Sequence, residues 1–206
     1  TLEVPDGETL SLIGGDVVLD GATLAAGNGR VNLAAVASAG EVVLASADAP
    51  EPLEMQGFEA LGEGRLQASR AVGSLVDVSG DAPGSVFIRG GKVVVRGGAV
   101  PGNRRSLVRA ENESSVPADP GVPGPGLISV AANESVLVDN GLLSVVTHSA
   151  GNAGTIHVAS PGGSVTFQRG PGGTPTPVGA GAETTSSGPA GRIQIEARDL
   201  LVQDGA

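Results

Sequence analysis

The residues of this chain that come closest to a catalytic group are two aspartates and two cations in one short stretch: Asp77, Asp81, Arg89 and Lys92. Enzymes that cleave acidic polysaccharides gather such groups on one wall, and an inverting hydrolase holds two carboxyl groups ~6.5–9.5 Å apart. Asp77, however, lies between two valines, a pattern that points it outward from a strand, and Asp81 lies in a segment typical of a turn. We therefore expect no catalytic residues here.

Metal and cofactor chemistry have equally little support. The chain has two histidines, His148 and His157, and no cysteine. A structural zinc site takes about four nitrogen or sulfur ligands, and no third ligand stands at a telling spacing from either histidine. Gly170-Pro171-Gly172-Gly173 lacks the lysine and the helix that a phosphate-binding loop requires. We expect neither a metal nor a cofactor.

A basic group stands out against an acidic background. Arg104, Arg105 and Arg109 cluster in a chain whose formal net charge is −10. The simplest interpretation is a solvated wall, and the alternative is a contact for an acidic glycan. The overall charge disfavours nucleic acid as a partner, because phosphate contacts need a basic face.

The elements that position these residues follow from a short repeated pattern. A glycine is followed by two aliphatic residues that flank a polar or mixed position, with glycine-to-glycine intervals of 42, 28 and 37 residues. Recurrence at this spacing is typical of stacked-repeat architectures. The four copies are Gly84–Ile88, Gly126–Val130, Gly154–Val158 and Gly191–Ile195.

Short strands and tight corners recur outside these copies as well. Near the start, short strands are predicted at Leu10–Ile13, Val17–Leu19, Ala22–Leu24 and Arg30–Leu33, between corners rich in Gly, Asp and Asn. Such strands suit a three-sided coil in which each strand pairs with its equivalent one turn later, at ~4.8 Å. The sequence thus predicts an all-β parallel solenoid, and the alternative is an antiparallel sandwich or jelly roll.

Three segments break the rhythm and are predicted to be long loop excursions. They lie near residues 45–64, 112–126 and 170–191, and the first could instead hold a short helix. Loop closure becomes only slowly costlier with length, so a regular coil tolerates such insertions. Removing the last two brings the longer repeat intervals toward 28 residues. We expect a single domain over residues 1–206, as a fragment of a longer protein.

The composition agrees with a thin, aliphatic interior. The chain is 40% apolar but has three Phe and neither Tyr nor Trp. A narrow solenoid has room for one layer of aliphatic side chains and can dispense with aromatic volume. The aromatic poverty also removes the usual anchors of a protein-binding hot spot and the stacking platforms of a sugar groove.

Five segments share a pattern of short aliphatic strands between glycine-rich corners: Gly14–Gly21, Gly29–Leu33, Val36–Val42, Val76–Gly91 and Gly151–Val158. These motifs resemble the repeats of filamentous-haemagglutinin-type exoproteins of two-partner secretion. The resemblance implies a right-handed parallel β-helix, exported across the outer membrane of a Gram-negative bacterium by a pore-forming partner and then displayed or released as an adhesin. The family's Asn-Pro-Asn-Gly secretion motif is missing from this sequence. We therefore expect this segment to lie downstream of the domain that engages the transporter.

These observations together predict a structural or adhesive rod segment without catalysis, secreted or on the outer cell surface. Host-surface or glycan receptors and end-to-end self-association are the expected partners. The alternatives are a β-helix lyase or hydrolase that acts on acidic glycans, and a trimeric spike module. Three or more charged side chains converging on one wall would favour catalysis, whereas ladders of Ser, Thr and Asn would favour the rod.

Overall fold

The structure is a computed structural model that describes residues 1–44, 53–69, 72–98, 105–114, 126–148, 153–170 and 177–206. These residues form β-strands, turns and irregular segments, and no helix occurs among them. No described segment is a helix of the length and apolar character that crossing a membrane requires. The strands are β1 (Leu2–Glu3), β2 (Thr9–Gly14), β3 (Val17–Asp20), β4 (Thr23–Ala25), β5 (Arg30–Ala35), β6 (Glu41–Val43), β7 (Glu54–Gln56), β8 (Glu63–Gln67), β9 (Leu75–Asp77), β10 (Ser85–Arg96), β11 (Leu107–Asn112), β12 (Leu127–Asp139), β13 (Leu142–Thr147), β14 (Thr155–Gln168), β15 (Gly179–Thr184) and β16 (Arg192–Gln203).

Two parallel sheets contain nearly all of these strands. The first, sheet A, has the order β1-β4-β9-β11-β13-β15, and the second, sheet B, has the order β2-β5-β10-β12-β14-β16, with β3 and β8 paired beside it. Strand order follows chain order within each sheet, and the chain alternates between the two. The predicted all-β class with parallel sheets is confirmed. The antiparallel sandwich is wrong, because among the described strands only β6 and β7 form an antiparallel pair.

The four glycine-aliphatic repeats lie directly above one another in sheet B. Val86 pairs with Ile128, Ile128 with Ile156, and Ile156 with Ile193. The first three of these side chains are fully buried, and a second column two residues further along repeats the arrangement. Side chains alternate strictly between the two faces of each strand. Each passage of the chain through the two sheets, or turn, therefore directs one set of aliphatic side chains inward, as the sequence pattern predicted.

A bend in the long strands adds a further inward wall. The register shifts between Gly90 and Lys92 in β10 and at the equivalent places in β12 and β14. Such irregularities bend a strand and re-aim its side chains. Beyond the bend, Val95, Val138 and Phe167 stack in register and are buried. One connected hydrophobic cluster thus runs from Val17 to Phe167.

The corners have the backbone conformations that their residue types suggest. Asn28 and Asn140 have φ values of 55° and 52°, in the left-handed region. Asparagine tolerates that region better than most residues because its amide can bond locally. The corner predicted between Leu24 and Arg30, which contains Asn28, is therefore confirmed.

The predicted excursions differ from the structure in two places. In the segment near 45–64, the described residues hold strand β7 and the start of β8, and none of them is helical. In the segment near 170–191, strand β15 pairs over its full length with β13, so the loop prediction is wrong there. Its inward residues, Ala180 and Ala182, pack against the core despite their small size. Of the segment near 112–126, residues 115–125 lie outside the described part of the chain.

Strands β5 and β8 are two halves of one interrupted turn. Both pair with β10: β5 with Ser85–Arg89, and β8 with Lys92–Arg96. On the neighbouring turns, a bend of a few residues joins the equivalent halves. Residues 36–62 are therefore an insertion at a corner, and its described parts include the antiparallel pair β6–β7.

The last turn leaves apolar side chains exposed. In β16, Ile193 is 42% exposed, Leu200 55% and Val202 56%. They continue the buried columns of β14, where Ile156, Val165 and Phe167 hold the equivalent positions. Within the described residues no strand covers the outer edge of β16.

Candidate functional site

A charged cluster lies on the outer wall of sheet A. Arg109 donates through Nε and Nη2 to Asp77 Oδ2 at 2.8 and 2.6 Å, and its Nη1 lies 3.5 Å from Glu111 Oε2. Burial alone would raise the pKa of Asp77, but hydrogen bonds from Arg109 and Ser79 and the arginine charge outweigh it and lower that pKa. The hydrogen bond to Asp77 is the main reason that the pKa of Arg109 is raised. The charge of Arg109 is therefore compensated within the cluster.

The four charged residues singled out from the sequence, Asp77, Asp81, Arg89 and Lys92, do not lie together. Asp77 lies on sheet A, whereas Arg89 and Lys92 lie on β10 of sheet B. Asp81 is exposed in a bend, and Lys92 Nζ lies 3.4 Å from Glu134 Oε2. The outward orientation of Asp77 and the turn position of Asp81 are both confirmed.

The predicted basic group is divided among separate contacts. Arg105 Nη1 donates to the carbonyl oxygen of Pro177 at 2.8 Å, and Arg109 is held by Asp77. Arg104 lies outside the described residues. A contact between these arginines and an acidic glycan stays a prediction, and Arg109 would have to leave its carboxylates to take part.

The two histidines are engaged separately. His148 Nδ1 lies 2.7 Å from Thr185 Oγ1, and His157 Nε2 lies 3.4 Å from Glu196 Oε1. His157 points outward, between the buried Ile156 and Val158. In the part of the chain that the structure describes, no three His, Cys, Asp or Glu side chains come together closely enough to hold a metal ion.

Hydroxyl ladders connect successive turns at a buried corner. Ser74 and Ser106 are both fully buried. The Ser74 hydroxyl donates to the carbonyl oxygen of Gln67, and the Ser106 hydroxyl donates to that of Arg96, both at 2.7 Å and within the same turn. From the preceding turn, Ser74 accepts the backbone N–H of Ala22 and Ser106 accepts that of Ser74, both at 3.3 Å. The two serines therefore satisfy polar groups that the corner would otherwise leave buried without partners.

Polar ladders occur on the outer walls too. Asn32 Nδ2 donates to Ser11 Oγ at 3.0 Å, between adjacent strands β5 and β2. On the last two turns, Gln203 Nε2 donates to Gln168 Oε1 at 3.1 Å. These contacts join equivalent positions of consecutive turns, and their chemistry is that of stacking rather than catalysis.

A pocket that the sequence did not indicate lies beside the insertion at residues 36–62. It measures about 430 Å³ and is bounded by Leu53, Met55, Phe58 and Leu61 on the insertion side and by outer-wall residues of β10, β12 and β14, Arg89 among them. Burial lowers the pKa of Arg89 to about 10. One feature of the sequence could have indicated this pocket: the apolar residues Met55, Phe58 and Leu61 stand in a segment otherwise typical of a loop.

An outward-facing aromatic side chain, Phe87, lies against Arg89, which lines this pocket. Phe87 lies between the inward Val86 and Ile88, yet only 1% of it is exposed. The guanidinium carbons of Arg30 and Arg89 each lie 5.6 Å from its ring centroid, a distance at which cations are attracted to an aromatic face. The outer wall of sheet B is thus covered here, unlike an ordinary solvated strand face.

Comparison with known proteins gives no match: no protein-family model, no curated protein and no solved structure is significantly similar to this chain. The resemblance to filamentous-haemagglutinin-type exoproteins therefore rests on the sequence motifs alone.

Proposed function

We propose that this chain is a segment of a right-handed parallel β-helix and serves as the structural rod of an adhesin-like exoprotein. One observation carries the proposal: equivalent positions of successive turns are in parallel register in both sheets. In such a scaffold each turn contacts mainly its neighbours, so stability propagates along the axis. The result is a stiff spacer that presents its outer walls.

The polar chemistry of the walls favours a rod over an enzyme. Buried and exposed ladders join Ser74 to Ser106, Asn32 to Ser11 and Gln203 to Gln168. Each ladder adds hydrogen bonds between turns, and a net contribution of about 0.5–1.5 kcal/mol per bond is typical. They strengthen the stacking on which a rod depends.

The cluster of Asp77, Arg109 and Glu111 supports the alternative of an enzyme acting on acidic polysaccharide, because three charged side chains meet on one wall. A two-carboxylate hydrolase needs one carboxyl group that stays protonated, and the lowered pKa of Asp77 opposes that role. Incubation with polygalacturonate, with Glu111→Gln as the control, decides between the two. If the chain is a structural rod, neither the parent chain nor the Glu111→Gln variant will release reducing or unsaturated sugars from polygalacturonate.

Secretion by a two-partner system follows from the motif resemblance and is the second part of the proposal. The segment would follow a secretion domain that engages an outer-membrane transporter, and the product would be secreted or surface-displayed. A host-surface or glycan receptor would bind the outer walls. Sequencing the flanking gene region tests this: we expect an upstream Asn-Pro-Asn-Gly secretion domain and a neighbouring transporter gene, and a flanking region that encodes neither would contradict it.

A further inference from the structure

The pocket beside the insertion has an apolar wall and a floor of small residues. Leu53, Met55, Phe58 and Leu61 supply the wall, and Leu53 is itself buried. A cavity of about 430 Å³ falls within the ~300–1,000 Å³ typical of small-molecule sites. The insertion and the sheet together thus leave room for a ligand of modest size.

The floor of the pocket is open because two of three paired positions on neighbouring strands hold alanine. Arg89, Ala131 and Ala159 occupy equivalent outward positions on β10, β12 and β14. A large side chain at either alanine would fill the space above the guanidinium. The two alanines leave that space open, and Arg89 is the only charged residue lining the pocket among the residues that the structure describes.

Arg89 differs from its neighbours in what compensates its charge. Arg65, Arg96, Arg109 and Arg198 each have a carboxylate oxygen within ion-pair distance. Arg89 is bonded to neutral acceptors, and within the described part of the chain no carboxylate lies within ion-pair distance of it. A largely buried cation without a counter-charge is unfavourable, so the site favours an anion.

The hydrogen bonds of Arg89 come from its two Nη groups and not from Nε. Nη1 donates to the carbonyl oxygens of Ile88 and Ser129 at 3.0 and 2.9 Å, and Nη2 donates to Ser129 Oγ at 3.0 Å. A guanidinium has five N–H groups, so the Nε proton and one Nη2 proton remain. Arg65 uses this same Nε–Nη2 edge to bind Glu63 side-on. Such bidentate pairing is the strongest form of arginine–carboxylate recognition.

We propose that the pocket binds a small organic monocarboxylate, with its apolar tail against Met55, Phe58 and Leu61 and its carboxylate on the Nε–Nη2 edge of Arg89. This inference goes beyond the rod and does not depend on it. A rod of this kind would carry the ligand on its side, at the corner where residues 36–62 are inserted.

Isothermal titration calorimetry of the 206-residue chain with octanoate tests the proposal. We expect saturable binding of one octanoate per chain. Octan-1-ol, which has the same tail without the charge, should bind at least tenfold more weakly, and acetate, which lacks the tail, should also bind at least tenfold more weakly. No heat with octanoate, or equal affinity for octanoate and octan-1-ol, would overturn the proposal.

Two variants locate the site, and a third is the matched control. Ala159→Leu fills the floor but keeps the guanidinium, and Arg89→Gln removes the charge; each should weaken octanoate binding at least tenfold. Arg65→Gln removes an arginine that does not line the pocket and should leave the affinity within twofold. Circular dichroism checks that each variant is folded. If Arg89→Gln does not fold, Ala159→Leu decides, and an unchanged affinity in that variant would overturn the assignment.

Discussion

The backbone amide of Ser74 donates to the hydroxyl of Ser106 at 3.3 Å, across two successive turns and with both residues fully buried. The Ser106 hydroxyl in turn donates to the carbonyl oxygen of Arg96 at 2.7 Å. One side chain therefore joins the two turns and also closes the corner of its own turn. A serine side chain has only one methylene and one hydroxyl group. Ser74 and Ser106 are therefore small enough to fit a corner where the turns stack directly.

The first prediction concerns this ladder. Ser106→Ala removes the acceptor of the Ser74 amide and leaves a buried N–H without a partner, so we expect a loss of about 1–3 kcal/mol in the free energy of unfolding. Urea denaturation followed by circular dichroism measures it. Ser187→Ala is the matched control, because Ser187 is exposed. Equal stability of the two variants would show that the ladder does not hold the turns together.

The second prediction tests which side chains face inward. Ile156 is fully buried between Ile128 and Ile193, so Ile156→Asp places an unpaired charge inside the stack. We expect loss of about 3–5 kcal/mol or failure to fold, with several turns affected. Thr155→Asp, on the outward side of the same strand, should change the free energy of unfolding by under about 0.5 kcal/mol. A normal thermal unfolding curve for Ile156→Asp would reverse the assignment.

These inward columns were predictable because alternation of aliphatic and polar residues reports burial on one face directly. Strand β15 was not predictable, because Gly179-Ala180-Gly181-Ala182 has no large side chains to show the alternation, and its ladder with β13 decides its conformation. The pairing of Asp77 with Arg109, 32 residues later, follows only from the register of β9 with β11.

The pocket was beyond sequence reasoning for a related reason. Phe58 belongs to the insertion and Ala159 to a strand far along the chain, so the pocket depends on tertiary contacts that no local pattern encodes. From the sequence, Arg89 was a candidate only because it lies near Asp77 and Asp81 along the chain. Its actual surroundings come from the insertion that precedes it and from the two turns that follow it.

The third prediction is a pH dependence that arises from Asp77. The pKa of Asp77 is lower in the folded chain than in the unfolded chain. Its contribution to stability is therefore present above the unfolded value of about 3.9 and is lost as the pH falls through the folded pKa. Asp77→Asn should lower the free energy of unfolding at pH 7 by about 1–2 kcal/mol and flatten its decline as the pH falls below about 4.

Urea denaturation at a series of pH values measures this effect. Asp81→Asn is the control, since Asp81 is exposed in a bend and Arg109 pairs with Asp77 and Glu111 instead. The two variants should differ at pH 7 and converge below the folded pKa of Asp77. Parallel profiles for both variants and the parent chain would contradict a structural role for the Asp77–Arg109 pair.

The fourth prediction concerns the open edge of β16. Ile193 and Val202 continue the inward columns and are exposed, so we expect the 206-residue chain to associate end to end as its concentration rises. Sedimentation velocity over a concentration series measures this. Replacing both residues with Ser should abolish the association. Leu201→Ser is the matched control, because Leu201 is equally exposed but points outward, and it should leave the association unchanged.

The central claim is parallel, in-register stacking of successive turns, and nuclear Overhauser contacts in the isotopically labelled chain test it most directly. We predict amide and Hα contacts that link Thr155 to Leu127 on one side and to Arg192 on the other, in the pattern of parallel strands. Strong Hα–Hα cross-peaks between β12 and β14, which arise between antiparallel strands, would contradict the account.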